Sequence, residues 1–466
     1  MIEGLIYLCH GDGRSSLLSS PQPERLFTAG LMPRAALLFV LASLTAALQP
    51  LAPHRGSSPH RTSPHRSSPH HGCSPRRPTQ RFAQPTDDDD APALPSAGSI
   101  ALFGVVPALS AAFPVLLSQK LLLPLLLYKR LYIYGAAAVV VAVGGARGAG
   151  DPAGLGTRVE ALTAALLPAP PAEAERQRET LRELRKLDDV DENAQAVALP
   201  VVVASSLVFS LALLRFAGGA ADAGDAAAVD AAGAVQSLMA LSNALALAAF
   251  ARLEAATACA FLGGAAADAA GAAVAVGLVA AAYGLPSAES WPAQNCLCMC
   301  LAVGVARALH VPRLGPLLLA AAGLAAYDAL AVFPSLANAA PVDASPMGAV
   351  AASKVFGDAF VPGALTVRIG GRVSDVLGLG DCVFPALVAG FAKRYDAAGG
   401  AAAYFPAALA GFGVGCVACE FAPGINAGGV PALVVLLPAM IAAVLATGAA
   451  RGELPDLFAF APEDGA

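Results

Sequence analysis

Charged residues are scarce in this chain: Asp, Glu, Lys and Arg make up only 14% of its 466 residues, against roughly 25% in a typical soluble protein. Aromatic residues are also few, at 6%, with a single tryptophan. The sequence has no basic patch interleaved with aromatic residues, which excludes the usual surface for nucleic acid. With 56% hydrophobic residues and a mean hydropathy of +0.63, the composition instead predicts a polytopic membrane protein.

The cysteines do not have the spacing of a metal site. Cys296, Cys298 and Cys300 form a C-x-C-x-C run inside an apolar segment. On a helix, successive members of such a run point about 200° apart, so they do not converge on one ion. Cys416 and Cys419 are spaced C-x-x-C, again within an apolar run. We interpret both groups as packing residues, and the sequence predicts neither a metal nor a cofactor.

The first 98 residues differ in composition from the rest of the chain. Residues 32–50 read MPRAALLFVLASLTAALQP, a short apolar run after a basic residue that is typical of signal peptides. Residues 51–98 then repeat Ser-Pro-His-Arg and include an acidic run, a composition that cannot bury a core and predicts disorder. We interpret residues 1–98 as a targeting-like, disordered segment. The endoplasmic reticulum, a later endomembrane compartment and a plastid membrane stay open as destinations.

Ten hydrophobic runs are candidate membrane spans, each able to cross a core ~30 Å thick. They lie near residues 99–117, 121–145, 196–216, 235–252, 267–285, 295–311, 315–334, 376–395, 402–420 and 430–448. Lys129 and Arg130 interrupt the second run, so the region 99–145 holds either two spans or one span and an interfacial helix. Residues 99–191 are predicted to form N-terminal membrane segments with a charged insert, which contains an exposed helix. Residues 192–462 are predicted to form the main bundle.

Two consecutive candidate spans each carry one aspartate. Asp328 lies five residues before the end of its span at Phe333, and Asp381 lies five residues after the start of the next at Val376. A carboxylate inside a membrane span costs about 2.5–3.5 kcal/mol on insertion scales, and such a residue usually has a function. Because consecutive spans are antiparallel, both aspartates lie about 8 Å from the same membrane surface. The sequence therefore predicts that the two carboxylates meet.

Paired carboxylates are the catalytic group of aspartic proteases. Two carboxylates a few ångströms apart cannot both ionise, so they share one proton. The ionised member can take a proton from water while the protonated member polarises a carbonyl. Two glycines in the G-L-G-D sequence at the second site, Gly378 and Gly380, allow another backbone to approach closely. An ion- or proton-coupled transporter and a non-catalytic binder of membrane helices are the alternatives, and the absence of a sequence repeat disfavours the transporter.

Three short motifs occur in a fixed order along the apolar spans. They are Tyr327-Asp328, Gly378-Leu379-Gly380-Asp381 and Pro431-Ala432-Leu433. They resemble the Y-D, G-L-G-D and P-A-L motifs of the GxGD-type intramembrane aspartyl proteases, and within these the presenilin-like signal peptide peptidase family. The segments WPAQN (291–295), AASKVFGDAFVPGALTVRI (351–369) and GELPDLFAF (452–460) extend the resemblance over residues 192–462.

The resemblance implies an all-α polytopic helical bundle with the presenilin and signal peptide peptidase fold and about nine transmembrane helices. It implies that Asp328 and Asp381 are catalytic. It also implies a supporting role for Tyr327, Gly378, Leu379 and Gly380, and substrate binding by Pro431, Ala432 and Leu433. The implied partners are signal-peptide remnants and type II membrane proteins within the lipid bilayer, with no nucleic acid. Assembly into a homo-oligomer stays open.

The basic residues near the span ends predict the orientation of the bundle. Alternating the spans places five of them on one face: Arg307, Arg313, Lys393, Arg394 and Arg451. By the positive-inside rule this face, and with it the C-terminus, is predicted to be cytosolic.

Overall fold

Helices rich in alanine and glycine make up most of the structure. The computed structural model of the chain describes residues 122–150, 155–166, 193–203, 226–309, 311–332, 362–369, 372–399, 402–421 and 431–461, with a few isolated positions between them. The signal-like segment and the Ser-Pro-His-Arg stretch lie outside these residues. So do most of the charged insert and nearly all of the candidate span 99–117.

The helices and strands follow one another in a simple order. They are α1 (Leu122–Gly150), α2 (Leu155–Leu166), α3 (Asn193–Val203), α4 (Ala226–Ala258), a 3₁₀ turn (Ala260–Leu262), α5 (Gly264–Gly284), α6 (Ser287–Ala308), α7 (Leu314–Val332), β1 (Ala364–Ile369), β2 (Arg372–Gly378), α8 (Gly380–Gly399), α9 (Tyr404–Phe421), α10 (Leu433–Arg451) and α11 (Leu454–Ala459). The prediction of a helical, polytopic membrane bundle is confirmed. The candidate span 121–145 is one continuous helix, α1, that contains Lys129 and Arg130.

Four of the described helices are long and apolar enough to cross a membrane. They are α1 from Lys129 onward, α5, α9 and α10. Shorter apolar stretches lie in α3 and in α7, where the stretch runs over Leu314–Leu330. The predicted spans in α4, α6 and α8 are not among the four. Polar residues lower the hydropathy of α6 and α8. Helix α6 begins SAESWPAQN, and α8 contains the charged segment AKRYD.

Small residues set how closely the helices approach one another. A Cβ atom on Gly411 of α9 would lie 2.7 Å from the Cα atom of Met440 in α10. One turn further along α9, a Cβ atom on Gly415 would lie 3.1 Å from the Cα atom of Leu436. A Cβ atom on Gly145 of α1 would lie 2.9 Å from the backbone nitrogen of Gly390 in α8. Backbones this close exclude any side chain, as in the small-xxx-small contacts of membrane helices.

The α9–α10 contact gives a direct prediction for stability. We expect Gly411→Val to lower the free energy of unfolding by about 1–3 kcal/mol, because the new atoms force α9 away from the backbone of α10. The matched control is Gly413→Val on the same helix, where an added Cβ atom meets nothing within 4 Å. Thermal melting in detergent compares the two variants with the wild type. Equal melting temperatures for the two variants would contradict close packing at Gly411.

A β-hairpin precedes α8 and is the sheet that the described residues contain. Strands β1 and β2 pair antiparallel, with Leu365 opposite Leu377. The side chain of Asn295 in α6 holds β1 as a neighbouring strand would: its Nδ2 donates to the carbonyl oxygen of Thr366 at 2.7 Å, and its Oδ1 accepts from the Thr366 N–H at 2.9 Å. This pairing is buried, so it fixes the hairpin firmly against α6.

The hairpin corrects one predicted boundary. The span predicted from residue 376 does not begin there, because residues 376–378 belong to β2 and α8 begins at Gly380. Asp381 is therefore the second residue of its helix rather than a residue more than one turn inside it. The pairing of β2 with β1 satisfies its backbone hydrogen-bonding groups, and this competes with extension of α8 toward the N-terminus.

Candidate active site

Asp328 lies near the end of α7 with its side chain turned into the protein. The residue is only 6% exposed. Its Oδ2 atom accepts a hydrogen bond of 3.0 Å from the backbone N–H of Leu433. A buried carboxylate needs such a partner, and here the partner comes from an element 105 residues away in sequence.

The partner of Asp328 is the N-terminus of α10. The first N–H groups of a helix have no acceptor within the helix. The N-terminal residue Ala432 provides no side-chain cap, and Asp328 takes that place from another helix. The positive end of the helix dipole favours the ionised carboxylate there. Pro431 and Leu433 are buried and Ala432 is half-buried, so the predicted P-A-L residues pack beside this contact.

Asp381 lies at the junction between β2 and α8. It is half-buried, and its carboxyl group is hydrogen-bonded by the backbone of Gly378. A Cβ atom on Gly378 would lie 3.2 Å from Oδ2 of Asp381. The buried Leu379 anchors the junction, because its N–H donates to the carbonyl oxygen of Gly363 at 3.0 Å. The G-L-G-D sequence therefore leaves room for the carboxylate and fixes the backbone that carries it.

The two aspartates lie within electrostatic range of each other. The carboxyl group of Asp328 acts directly on that of Asp381. Helices α7, α8 and α10 all pack against one another, which brings the three motifs to one place. Two carboxylates in one poorly hydrated site repel each other unless they share a proton. The arrangement is able to activate a water molecule between one basic and one acidic carboxyl group.

The two remaining predicted residues lie close to this pair. Tyr327 is half-buried on α7, and its side chain is within electrostatic range of Asp328. Gly380 begins α8, and a Cβ atom there would lie 3.2 Å from the ring of Phe384. Tyr327 thus neighbours the first aspartate, and Gly380 allows the first turn of α8 to pack its aromatic ring.

Helix α9 contributes neighbours that the sequence did not single out for the site. The thiol of Cys419 is within electrostatic range of Asp328 and Asp381, and that of Cys416 is within range of Asp381. The sequence predicts only packing roles for both, because nothing in their C-x-x-C spacing points to the aspartates. Cys382, next to Asp381, is fully buried.

Metal ligands do not gather in the part of the chain that the structure describes. There, no three His, Cys, Asp or Glu side chains are placed to hold one ion. The run Cys296, Cys298 and Cys300 is buried along α6.

Comparison with known proteins places these residues within a family. A family model described as signal peptide peptidase matches residues 185–464 of this chain, which contain both aspartates and all three motifs. A rice protein (Oryza sativa subsp. japonica) named signal peptide peptidase-like 3 is 34% identical over 87 residues. That match covers 18% of this chain and 17% of the rice protein.

Proposed function

Because the chain belongs to the signal peptide peptidase family, we propose that it is an intramembrane aspartic endopeptidase. It hydrolyses peptide bonds within transmembrane helices, and Asp328 and Asp381 are its catalytic pair. The observation that carries the proposal is the hydrogen bond from the N–H of Leu433 to the carboxylate of Asp328. This carboxylate lies within electrostatic range of Asp381. This one contact unites the Y-D and P-A-L motifs beside the G-L-G-D motif.

The surroundings of the two carboxyl groups support different catalytic roles, with Asp328 as the base and Asp381 as the acid. The Leu433 N–H and the N-terminus of α10 favour the ionised form of Asp328. Asp381, facing that negative charge, then holds the shared proton. Asp328 takes a proton from water as the water oxygen attacks the scissile carbonyl carbon, and Asp381 gives its proton to the carbonyl oxygen. When the resulting diol collapses, the C–N bond breaks, the proton on Asp328 passes to the leaving nitrogen, and one hydroxyl proton of the diol returns to Asp381.

The substrate proposed is a single membrane-spanning helix, in the form of a signal-peptide remnant or a type II membrane protein. A peptide bond inside a helix is shielded by its own hydrogen bonds, so the substrate must unwind locally before water can attack. Gly378 and Gly380, just before Asp381, present no side chain of their own to such an unwound backbone.

We also propose an orientation and a location for the bundle. The face that carries Arg307, Lys393 and Arg451 is cytosolic, and so is the C-terminus. The protein resides in the endoplasmic reticulum or another endomembrane, or in a plastid membrane. Its partners are the bilayer and its helical substrates, and it acts alone or as a homo-oligomer.

Product mapping tests the proposed reaction. Purified full-length protein in detergent is incubated with a single-span helical signal-peptide reporter, and the products are identified by mass spectrometry. We expect cleavage at a bond inside the apolar segment of the reporter, and faster cleavage when a Gly residue is introduced near that bond, because glycine destabilises a helix by about 1 kcal/mol. A reporter that stays intact, together with proton or ion flux through liposomes containing the protein, would favour a transporter instead.

A further inference from the structure

A cluster of charged and polar side chains joins the first helix to the strand that leads into Asp381. The Nζ atom of Lys129 in α1 lies 2.8 Å from Oδ2 of Asp375 in β2, and it donates to the hydroxyl oxygen of Ser374 at 2.7 Å. Arg130 Nη1 lies 3.3 Å from the other carboxylate oxygen of Asp375. We call these four residues the α1–β2 cluster. Through it, α1 binds both oxygens of one β2 carboxylate.

The cluster is largely removed from water. The side chain of Lys129 is 11% exposed and that of Asp375 is 8% exposed. Exposed ion pairs contribute little to stability, but a desolvated pair that loses one partner leaves a charge without compensation. Arg130 is half exposed and extends the cluster to α9, because its Nη1 lies 3.2 Å from Oε1 of Glu420. Tyr134 of α1 donates a hydrogen bond to the same glutamate.

The cluster lies three residues before Gly378, whose backbone hydrogen-bonds the Asp381 carboxyl group. No helical turn precedes Asp381 to orient it, because α8 begins at Gly380. The course of β2 therefore decides where the carboxyl group lies. Within the hairpin, Asp375 is opposite Val367. A substitution that removes the ion pairs of Asp375 therefore releases the C-terminal end of β2, and Asp381 lies just after that end.

Helix α1 also holds the other strand of the hairpin. The hydroxyl oxygen of Tyr132 accepts a hydrogen bond of 3.1 Å from Nδ2 of Asn295. Asn295 in turn pairs with the backbone of Thr366 in β1. Tyr132 is 2% exposed and packs edge-on against Trp291. One stretch of α1 therefore contacts β1 through a buried amide and β2 through an ion pair.

We propose that Lys129 and Arg130 are positioning residues for Asp381: they fix β2 through Asp375 and so hold the catalytic carboxyl group in its reactive position. This rests on the proposed function of the aspartate pair. The assignment gives a role to α1, which precedes the segment matched by the family model, residues 185–464. It also gives a role to two of the three basic side chains in this mainly apolar helix.

Steady-state cleavage of the helical reporter by the full-length protein tests this proposal. We expect Lys129→Gln and Asp375→Asn each to lower kcat about 10- to 100-fold with KM nearly unchanged, since small displacements of a catalytic group have effects of this size. Lys129→Arg, which keeps the charge, retains most of the activity. The exchanged pair Lys129→Asp with Asp375→Lys recovers at least part of the activity that either single reversal loses.

The matched control is Arg252→Gln, which removes a 2.6 Å hydrogen bond to the Ala165 carbonyl, between α4 and α2, neither of which carries a residue of the site. It is expected to lower the melting temperature without lowering kcat.

If Lys129→Gln fails to fold, Asp375→Glu carries the test, because it keeps the charge but shifts the carboxylate by one methylene. Its kcat is expected to fall several-fold at an unchanged melting temperature. A wild-type kcat in Asp375→Glu, or a loss of kcat that only follows melting temperature in all variants, would overturn the proposal. Cleavage by the wild type keeps that result distinct from a failure of the proposed function.

Discussion

Replacing either aspartate by asparagine, in Asp328→Asn or Asp381→Asn, is expected to slow reporter cleavage by about 10²–10⁴-fold. Asparagine has nearly the same shape, but it neither takes a proton from water nor supplies one to a carbonyl oxygen. The two losses are not additive, because the two carboxyl groups act as one unit. The double variant is therefore expected to be about as slow as either single variant. Reporter cleavage under first-order conditions measures all three rates.

The control for this prediction is Asp268→Asn. Asp268 is also an aspartate within an apolar helix, α5, but it is exposed on the surface of that helix. We expect it to leave the cleavage rate unchanged. The folding of the dyad variants is checked by thermal melting, which should show little loss, since asparagine keeps the size of the side chain and its hydrogen-bond acceptor. Cleavage at the wild-type rate by Asp381→Asn would contradict the catalytic assignment.

Gly378→Val is expected to lower kcat about 10- to 100-fold while the protein stays folded. The first carbon of any side chain at this position lies 3.2 Å from Oδ2 of Asp381, and valine adds two methyl groups beyond it. Valine is compatible with the end of a strand, so the expected effect is displacement of the carboxyl group rather than unfolding. Reporter kinetics and melting temperature, measured on the same preparation, separate the two effects.

Gly135→Val in α1 provides the comparison for this substitution. An added Cβ atom at Gly135 meets nothing within 4 Å, and the residue is exposed. It should have wild-type kcat and KM. If Gly378→Val matched it in kcat, the open space beside Asp381 would have no catalytic role.

The sequence predicts the aspartate pair because the signal is local. A carboxylate in an apolar run is costly and conspicuous, and Asp328 and Asp381 stand out for that reason. The helices likewise follow from uninterrupted apolar runs. Near the second aspartate the predicted start of the helix is wrong. The segment VLGLGDCVFPALV is apolar on both sides of the point where β2 ends and α8 begins. Hydropathy does not distinguish a paired strand from the first turn of a helix.

The contacts that support the site have no such local signal. The donor to Asp328 is a backbone N–H, which every residue except proline carries, so Leu433 does not stand out as a partner. Lys129 meets Ser374 across 245 positions of sequence. In the sequence, the charge of Lys129 argues against a continuous membrane span at this position. The structure removes this difficulty, because Asp375 neutralises the charge.

The most direct test of the central claim is single-turnover cleavage of the helical reporter in H₂¹⁸O, by the wild type and by Asp381→Asn. We predict that the wild type places one ¹⁸O atom in the new carboxylate of the N-terminal product and none in the C-terminal product, and that Asp381→Asn yields almost no product in the same time. This result would establish that water is the nucleophile and that the Asp328/Asp381 pair activates it. Labelled product formed at equal rates by both proteins would show that cleavage occurs without the pair, and would contradict the account.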